Sequence, residues 1–201
     1  KRNPNPDYVD PAEFIKKLSY KMEDDAVYVA DVGQNQIWSC AYAQVKDGTF
    51  MTSGGMGTMG YSIPAAMGAK LADKKKQVIA VCGDGSFQMN IQELGTIMEQ
   101  GVAVKMILLN NNYLGNVRQW QEMFFNHRYS WTPMLNPDYS LIASAYGIPS
   151  RLVTERSEID DAIREMLAAE TSFLLHVAVK EEANVMPMTP PGATVSEMIF
   201  E

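Results

Sequence analysis

Residues 77–86 read QVIAVCGDGS, and residues 104–113 read VKMILLNNNY. The first holds a continuous apolar run and the second a largely apolar one interrupted at Lys105, and they stop at glycine and asparagine. Such a run suits a strand covered on both faces, as in a parallel sheet sandwiched between helices. Between the two runs, Asn90–Gln100 has a helical pattern. Asn90 and Glu93 have the spacing of a capping pair, and Gly101 is placed to end the helix. Strand, helix and strand in this order make a crossover between parallel neighbours.

The same alternation extends outward on both sides. Ala26–Val32 (AVYVADV) and Thr49–Thr52 read as strands, and Ser172–Val179 as the last one. Gln36–Tyr42, Ile63–Leu71, Gly115–Phe125, Asp138–Tyr146 and Glu158–Glu170 read as helices. The expected fold is α/β: three layers, α/β/α, around a mostly parallel sheet. Residues 1–12, polar and holding Pro4, Pro6 and Pro11, read as a linker from upstream domains. Residues 13–183 read as the domain. Residues 184–201, with Pro187, Pro190 and Pro191, read as a tail or lid.

Composition narrows the function classes. A net charge of −7 with no basic stretch excludes nucleic acid and anionic membranes as partners. No apolar run approaches the roughly 20 residues that span a bilayer. Cys40 and Cys82 are too few for a disulfide framework, and a reducing cytoplasm is expected. The 14 methionines read as adaptable core filling, except for Met59 in a glycine-rich loop.

Ligands in parallel sheets bind beyond the carboxyl ends of the strands. Four segments stand there: Gly33-Gln34-Asn35-Gln36, Ser53–Gly60 (SGGMGTMG), Gly83-Asp84-Gly85-Ser86 and Asn110-Asn111-Asn112-Tyr113. Asp84 and Asn111 each follow a buried strand. One carboxylate and one amide suit Mg²⁺, which takes few protein ligands and fills its octahedron with water and phosphate oxygens. Gly85 allows close approach of a phosphate, and Ser86 offers a hydroxyl and an N–H before a helix. Asp-Gly and Asn-Asn are also ordinary turn formers. Their joint placement after successive strands favours a diphosphate held through a divalent metal.

GDGSFQMN through LLNNNYLGN resembles the thiamine-diphosphate signature, which opens with Gly-Asp-Gly and closes with Asn-Asn. SGGMGTMGYSIPAAMGAK, GNVRQWQ, HRYS and VMPMTPPGATVSEMI resemble the large subunit of the acetolactate (acetohydroxyacid) synthase family, from about Tyr28 onward. The resemblance implies the C-terminal cofactor domain of an enzyme that decarboxylates pyruvate and condenses it with a second pyruvate or 2-ketobutyrate. It implies Mg²⁺ on Asp84, Asn111 and the Tyr113 carbonyl. It places the diphosphate at Gly33, Gln34, Asn35, Gly85 and Ser86, and the aminopyrimidine at Gly57 and Met59. The Met59 side chain would hold the cofactor bent, and Trp120 would favour 2-ketobutyrate. FAD in a domain outside this chain, a homodimer or homotetramer, and in some members a regulatory small subunit are implied as well. The chain departs from the family at Asn35, where His is frequent, and at Asn116, where Met is usual.

Three other readings compete, the nearest being another thiamine-diphosphate-dependent 2-ketoacid decarboxylase or carboligase. Gly55–Gly60 is formally G-x-G-x-x-G, with Asp84 where a ribose-binding acid would stand. That dinucleotide reading leaves Asn110-Asn111 without a role, and its preceding strand is very short. A non-enzymatic nucleotide- or partner-binding module is the third. His176 in a strand and Trp120 on a helix have plain structural readings too.

Overall fold

Six strands form one sheet in the order β2-β1-β3-β4-β6-β5. They are β1 (Val27–Ala30), β2 (Thr49–Thr52), β3 (Val78–Gly83), β4 (Lys105–Asn110), β5 (Ser150–Val153) and β6 (Phe173–Ala178). Every pairing between them is parallel. The computed structural model describes residues 8–181, 183–190 and 192–200. Val78–Cys82 and Lys105–Leu109 are buried without a break, so both faces of β3 and β4 are covered. This is the pattern their apolar runs imply.

The helices divide between the two faces. One face carries α1 (Pro11–Ser19), α2 (Gln34–Tyr42) and α8 (Ile159–Ala168), whose Phe14, Ile15, Leu18, Trp38, Ile163 and Met166 share a cluster with Tyr28, Val81 and Ile107. The other carries α3 (Ser62–Ala72), α4 (Asp84–Met89), α5 (Glu93–Gln100) and α7 (Tyr139–Ala145). There Ile63, Phe87, Leu94, Ile97 and Tyr139 pack on Ala80, Met106 and Leu108. Each fully buried Leu, Ile or Phe contributes about 1.5–3 kcal/mol. A further helix, α6 (Gly115–Phe124), follows β4 at the carboxyl edge.

The local signals are partly as expected. Gly101 ends α5 in the left-handed conformation, φ 59°. Asp138 caps α7 by accepting from the N–H groups of Ser140 and Leu141. Two readings are corrected. Asn90 and Glu93 form no capping pair: Asn90 donates instead to the Gly60 carbonyl at 2.7 Å, and Glu93 accepts from the Thr96 hydroxyl. Ser86 does not precede a helix but lies within α4, which starts at Asp84. Edge strand β5 and helix α1 carry too little pattern to stand out. β5 is four residues long and half exposed, while α1 is set by Asp10, which accepts from Glu13 N at 2.9 Å, and by Pro11 at its first turn.

Candidate functional site

The chain runs from β1 outward to β2, then returns to the other side of β1 as β3. The loops after β1 and β3 therefore diverge, and a crevice opens between them. A cavity of about 90 Å³ lies there, lined by residues that include Gly33, Gln34, Asn35, Asp84, Gly85, Ser86, Asn111, Tyr113 and Met59. Nine residues singled out from sequence thus converge on one cleft. Gly57 is on the exposed part of the neighbouring loop and does not line it. Trp120 lines a second, open apolar surface with Phe125 and Arg128; Asn116 and Val117 border both.

The crevice floor is closed by side chains. Asn35 donates through Nδ2 to the carbonyls of Asp31 (2.9 Å) and Val81 (3.2 Å), bridging the ends of β1 and β3. Ser86 Oγ donates to the Val32 carbonyl at 2.8 Å. Both side-chain donors are therefore spent on the protein. Main-chain N–H groups at the start of α2 remain as donors for an anion, at Gln34 and Asn35, while the Gln36 N–H is taken by the Gly33 carbonyl at 3.1 Å.

The opposite wall carries oxygens. Gly83 pairs with Leu109 across β3 and β4, so the register sets Asp84 beside Asn110. Asp84 is 1% exposed. Burial pushes its carboxyl above the usual range, opposed by hydrogen bonds from Asn136 and the Gly85 N–H. Asn111 is buried, and its Oδ1 accepts from Tyr113 N at 3.1 Å; Asn110 Oδ1 accepts from Asn112 N in the same way. Asn112 sits at φ 59°. The asparagines do form a turn, and that turn presents one carboxylate and amide and carbonyl oxygens together. A hard divalent cation takes such a set, with phosphate and water completing its shell. The chain's residues fit the group that the sequence implies.

Gly85 is needed for close approach. A Cβ there would lie 2.8 Å from Leu114 Cδ2 and 3.3 Å from both Met134 Sδ and Met59 Cε. The Met59 side chain therefore reaches across the cleft to the start of α4.

Three contributors are not singled out by the sequence reading. Asp31, fully buried at the end of β1, accepts from the N–H groups of Gly60 (2.9 Å) and Ser62 (2.7 Å) and so anchors the glycine-rich loop. An acid directly after an apolar strand was the available clue. Asn136 and Gln119 have partners that lie far along the chain. His176 is structural: it shares a 3.0 Å hydrogen bond with Asn110 Nδ2 and packs edge-on against Tyr139. Burial lowers its pKa.

Such a crevice, with helix-start amides on one side and an oxygen set on the other, defines a cofactor-binding α/β domain. The chain belongs to the family described as thiamine pyrophosphate enzyme, C-terminal TPP binding domain, whose model matches residues 31–177. It is 44% identical over 188 residues to the acetolactate synthase isozyme 2 large subunit of Escherichia coli K12, covering 92% of this chain and 34% of that protein. It is 42% identical over 199 residues to an acetolactate synthase of Arthrospira platensis, covering 98% of this chain and 34% of that one. The acetolactate synthase large subunit of Lactococcus lactis is 42% identical over 191 residues, 94% of this chain and 33% of its own length. The chain thus spans about a third of the length of these relatives. Among the described residues, no helix is long and apolar enough to cross a membrane.

Proposed function

We propose that the chain is the thiamine-diphosphate and Mg²⁺ binding domain of an acetolactate synthase catalytic subunit. Residues 13–183 are the cofactor unit and 184–201 its tail or lid. The observation that carries the reading is the convergence of the β1, β3 and β4 loops on one cleft, within a domain whose relatives are acetolactate synthases.

Asp84, Asn111 and the Tyr113 carbonyl hold the Mg²⁺. Main-chain groups of Gly33, Gln34, Asn35, Gly85 and Ser86 would hold the diphosphate and Met59 the aminopyrimidine, with Gly57, outside the cleft lining, assigned there by the resemblance alone. When bound, thiamine diphosphate supplies the carbanion chemistry for decarboxylation and carbon–carbon bond formation. The domain binds, bends and orients it. Buried Asp84 would hold the Mg²⁺, whose charge offsets that of the diphosphate where little water competes. Met59 wedges the cofactor from the loop that Asp31 anchors. Trp120, with Asn116 and Val117, supplies an apolar wall for the second 2-ketoacid.

The whole enzyme takes pyruvate, with pyruvate or 2-ketobutyrate as acceptor, and makes acetolactate or 2-aceto-2-hydroxybutyrate for branched-chain amino acids. FAD binds outside this chain. The assembly is a homodimer or homotetramer, with a regulatory small subunit where one is present, and it works in the cytoplasm. Unpaired Cys40 and Cys82 support a reducing setting. Calorimetric titration of thiamine diphosphate and of NAD, each with and without Mg²⁺, tests the reading. Mg²⁺-dependent binding of thiamine diphosphate is expected; binding of NAD alone would overturn it.

A further inference from the structure

Gln119 on α6 is 1% exposed, although its neighbour Trp120 faces outward. Its amide grips one backbone unit of the C-terminal segment at both ends. Oε1 accepts from Val185 N at 2.9 Å, and Nε2 donates to Val185 O at 2.9 Å. The side chain thus does for Val185 what a neighbouring strand would do. Oε1 also accepts from Gln34 Nε2 at 3.0 Å, and Gln34 Nε2 donates to the Ala183 carbonyl at 2.9 Å. Gln34 Oε1 in turn receives Asn111 Nδ2 at 3.4 Å. Gly115 makes room for this arrangement, since a Cβ there would fall 2.1 Å from Gln34 Oε1. The segment is seated as well as bonded: Val185 is 6% exposed and belongs to the core cluster of the α1–α2 face.

These contacts make an unbroken row of amides from Asn111 through Gln34 and Gln119 to Ala183 and Val185. Each amide has an acceptor and a donor side, so turning one unpairs its neighbours, and unpaired buried amides are costly. We propose that Gln119 is a positioning residue that couples docking of the segment 183–188 to the placement of Gln34 and Asn111 in the cofactor cleft. The coupling rests on the reading of Asn111 as a Mg²⁺ ligand. Gln119 itself touches neither cofactor nor substrate.

The test uses full-length protein containing this chain, as parent, Q119L, Q119E and a deletion of 183–201. Hydrogen–deuterium exchange of the peptide holding Val185 reports docking. Titration of Mg²⁺ at saturating thiamine diphosphate, followed by calorimetry, reports the cleft. In Q119L the exchange rate and the Mg²⁺ dissociation constant are both expected to rise, each by about tenfold. The deletion should weaken Mg²⁺ to the same degree, and adding Q119L to it should change nothing further. Should Q119L fail to fold, Q119E decides, because it keeps the acceptor for Val185 N and Gln34 Nε2 and removes the Nε2 donor to Val185 O, together with its contacts to Met123 Sδ and Met188 Sδ. Faster exchange with unchanged Mg²⁺ affinity overturns the coupling and leaves Gln119 a tail anchor. Additive losses in the double variant overturn it too. A parent protein that binds no thiamine diphosphate with Mg²⁺ sinks the functional reading itself, and the coupling with it.

Discussion

The side-chain amide of Asn136 donates to Oδ2 of Asp84 at 2.7 Å. The same Nδ2 lies 2.9 Å from Asn110 Oδ1 and 3.1 Å from Asn112 Oδ1, so two hydrogens serve three oxygens of the cleft wall. Its Oδ1 is fixed in turn by Gln88 Nε2 (2.8 Å) and the Tyr139 hydroxyl (3.0 Å). The amide cannot flip without losing every partner. Asn136→Ala is expected to destabilise the ligand-free chain by about 1–3 kcal/mol, the cost of unpaired buried groups. Asn136→Asp should cost more, because it sets a carboxylate against Asp84 and removes both donors. Urea unfolding of the two variants checks the order; equal losses would show that a carboxylate at 136 is not set against Asp84, and no loss in Asn136→Ala would show that the donor to Asp84 contributes nothing.

Asp84 carries the metal argument. It is the carboxylate that the cleft wall offers, and without it the Mg²⁺ that offsets the diphosphate charge loses its charged protein ligand. In the full-length protein, Asp84→Ala is expected to abolish Mg²⁺-dependent binding of thiamine diphosphate while circular dichroism stays that of the parent. Retained affinity by calorimetry would remove the carboxylate from the site.

These two residues mark what the sequence makes legible and what it hides. Asp84 and Asn111 are readable because each ends an apolar run, and strand order does the rest. The β1 loop and Met59 are readable for the same reason, with glycines marking the turns. Asn136 is hidden because its acceptors stand 24 to 52 positions away, beyond any local pattern. Gln119 is hidden because one polar residue on a helix gives no sign of facing inward. Asn35 is legible as a cleft residue, but its side chain is directed at two carbonyls rather than outward, and only coordinates reveal that.

Lys105 gives a pH dependence away from the site. It is 5% exposed at the start of β4, with Nζ donating to the carbonyls of Ala169 and Thr171. Burial, with the charge of Lys70, lowers its pKa from 10.5 to about 8. The unfolded chain therefore holds one more proton than the folded chain between about pH 8 and 10.5. Stability from this group rises with pH across that window, by at most about 1.4 kcal/mol per pH unit. Tyr28 and Tyr139, held protonated by burial, act the other way above pH 10 and close the window. The stability difference between parent and Lys105→Met should therefore shift in favour of the parent from pH 8 to 10. A difference that stays flat in urea titrations would mean that Lys105 titrates normally.

Trp120 is 36% exposed and stands on the apolar surface that Asn116 and Val117 join to the main cleft. An apolar ring can reward the extra methyl of 2-ketobutyrate by roughly 1–3 kcal/mol. Trp120→Ala in the full-length enzyme is expected to lower the ratio of acetohydroxybutyrate to acetolactate when both acceptors compete. An unchanged product ratio would return Trp120 to a purely structural part, stacked edge-on against Phe124 at 5.5 Å.

The last expectation concerns the chain by itself. The resemblance to acetolactate synthases implies a glutamate from another domain that activates the cofactor, and among the described residues no glutamate lines the cleft. Glu93 on α5 is spent on the Thr96 hydroxyl, and Glu122 on α6 accepts from the Tyr129 hydroxyl. Glu197 accepts from Thr194 in the C-terminal segment. The cleft therefore offers metal and diphosphate groups without the proton relay, and its glycine-rich loop stands open, with Met56 89% exposed. The 201-residue chain alone is expected to bind thiamine diphosphate more weakly than a full-length synthase and to make no acetolactate from pyruvate. An exposed apolar rim around Met56 should also promote self-association, visible by light scattering. Incubation with pyruvate, Mg²⁺, thiamine diphosphate and FAD, followed by an acetolactate assay, is decisive. Turnover at the rate of a full-length relative would mean that the activating group lies within these residues, and that the glutamate of the second domain is dispensable.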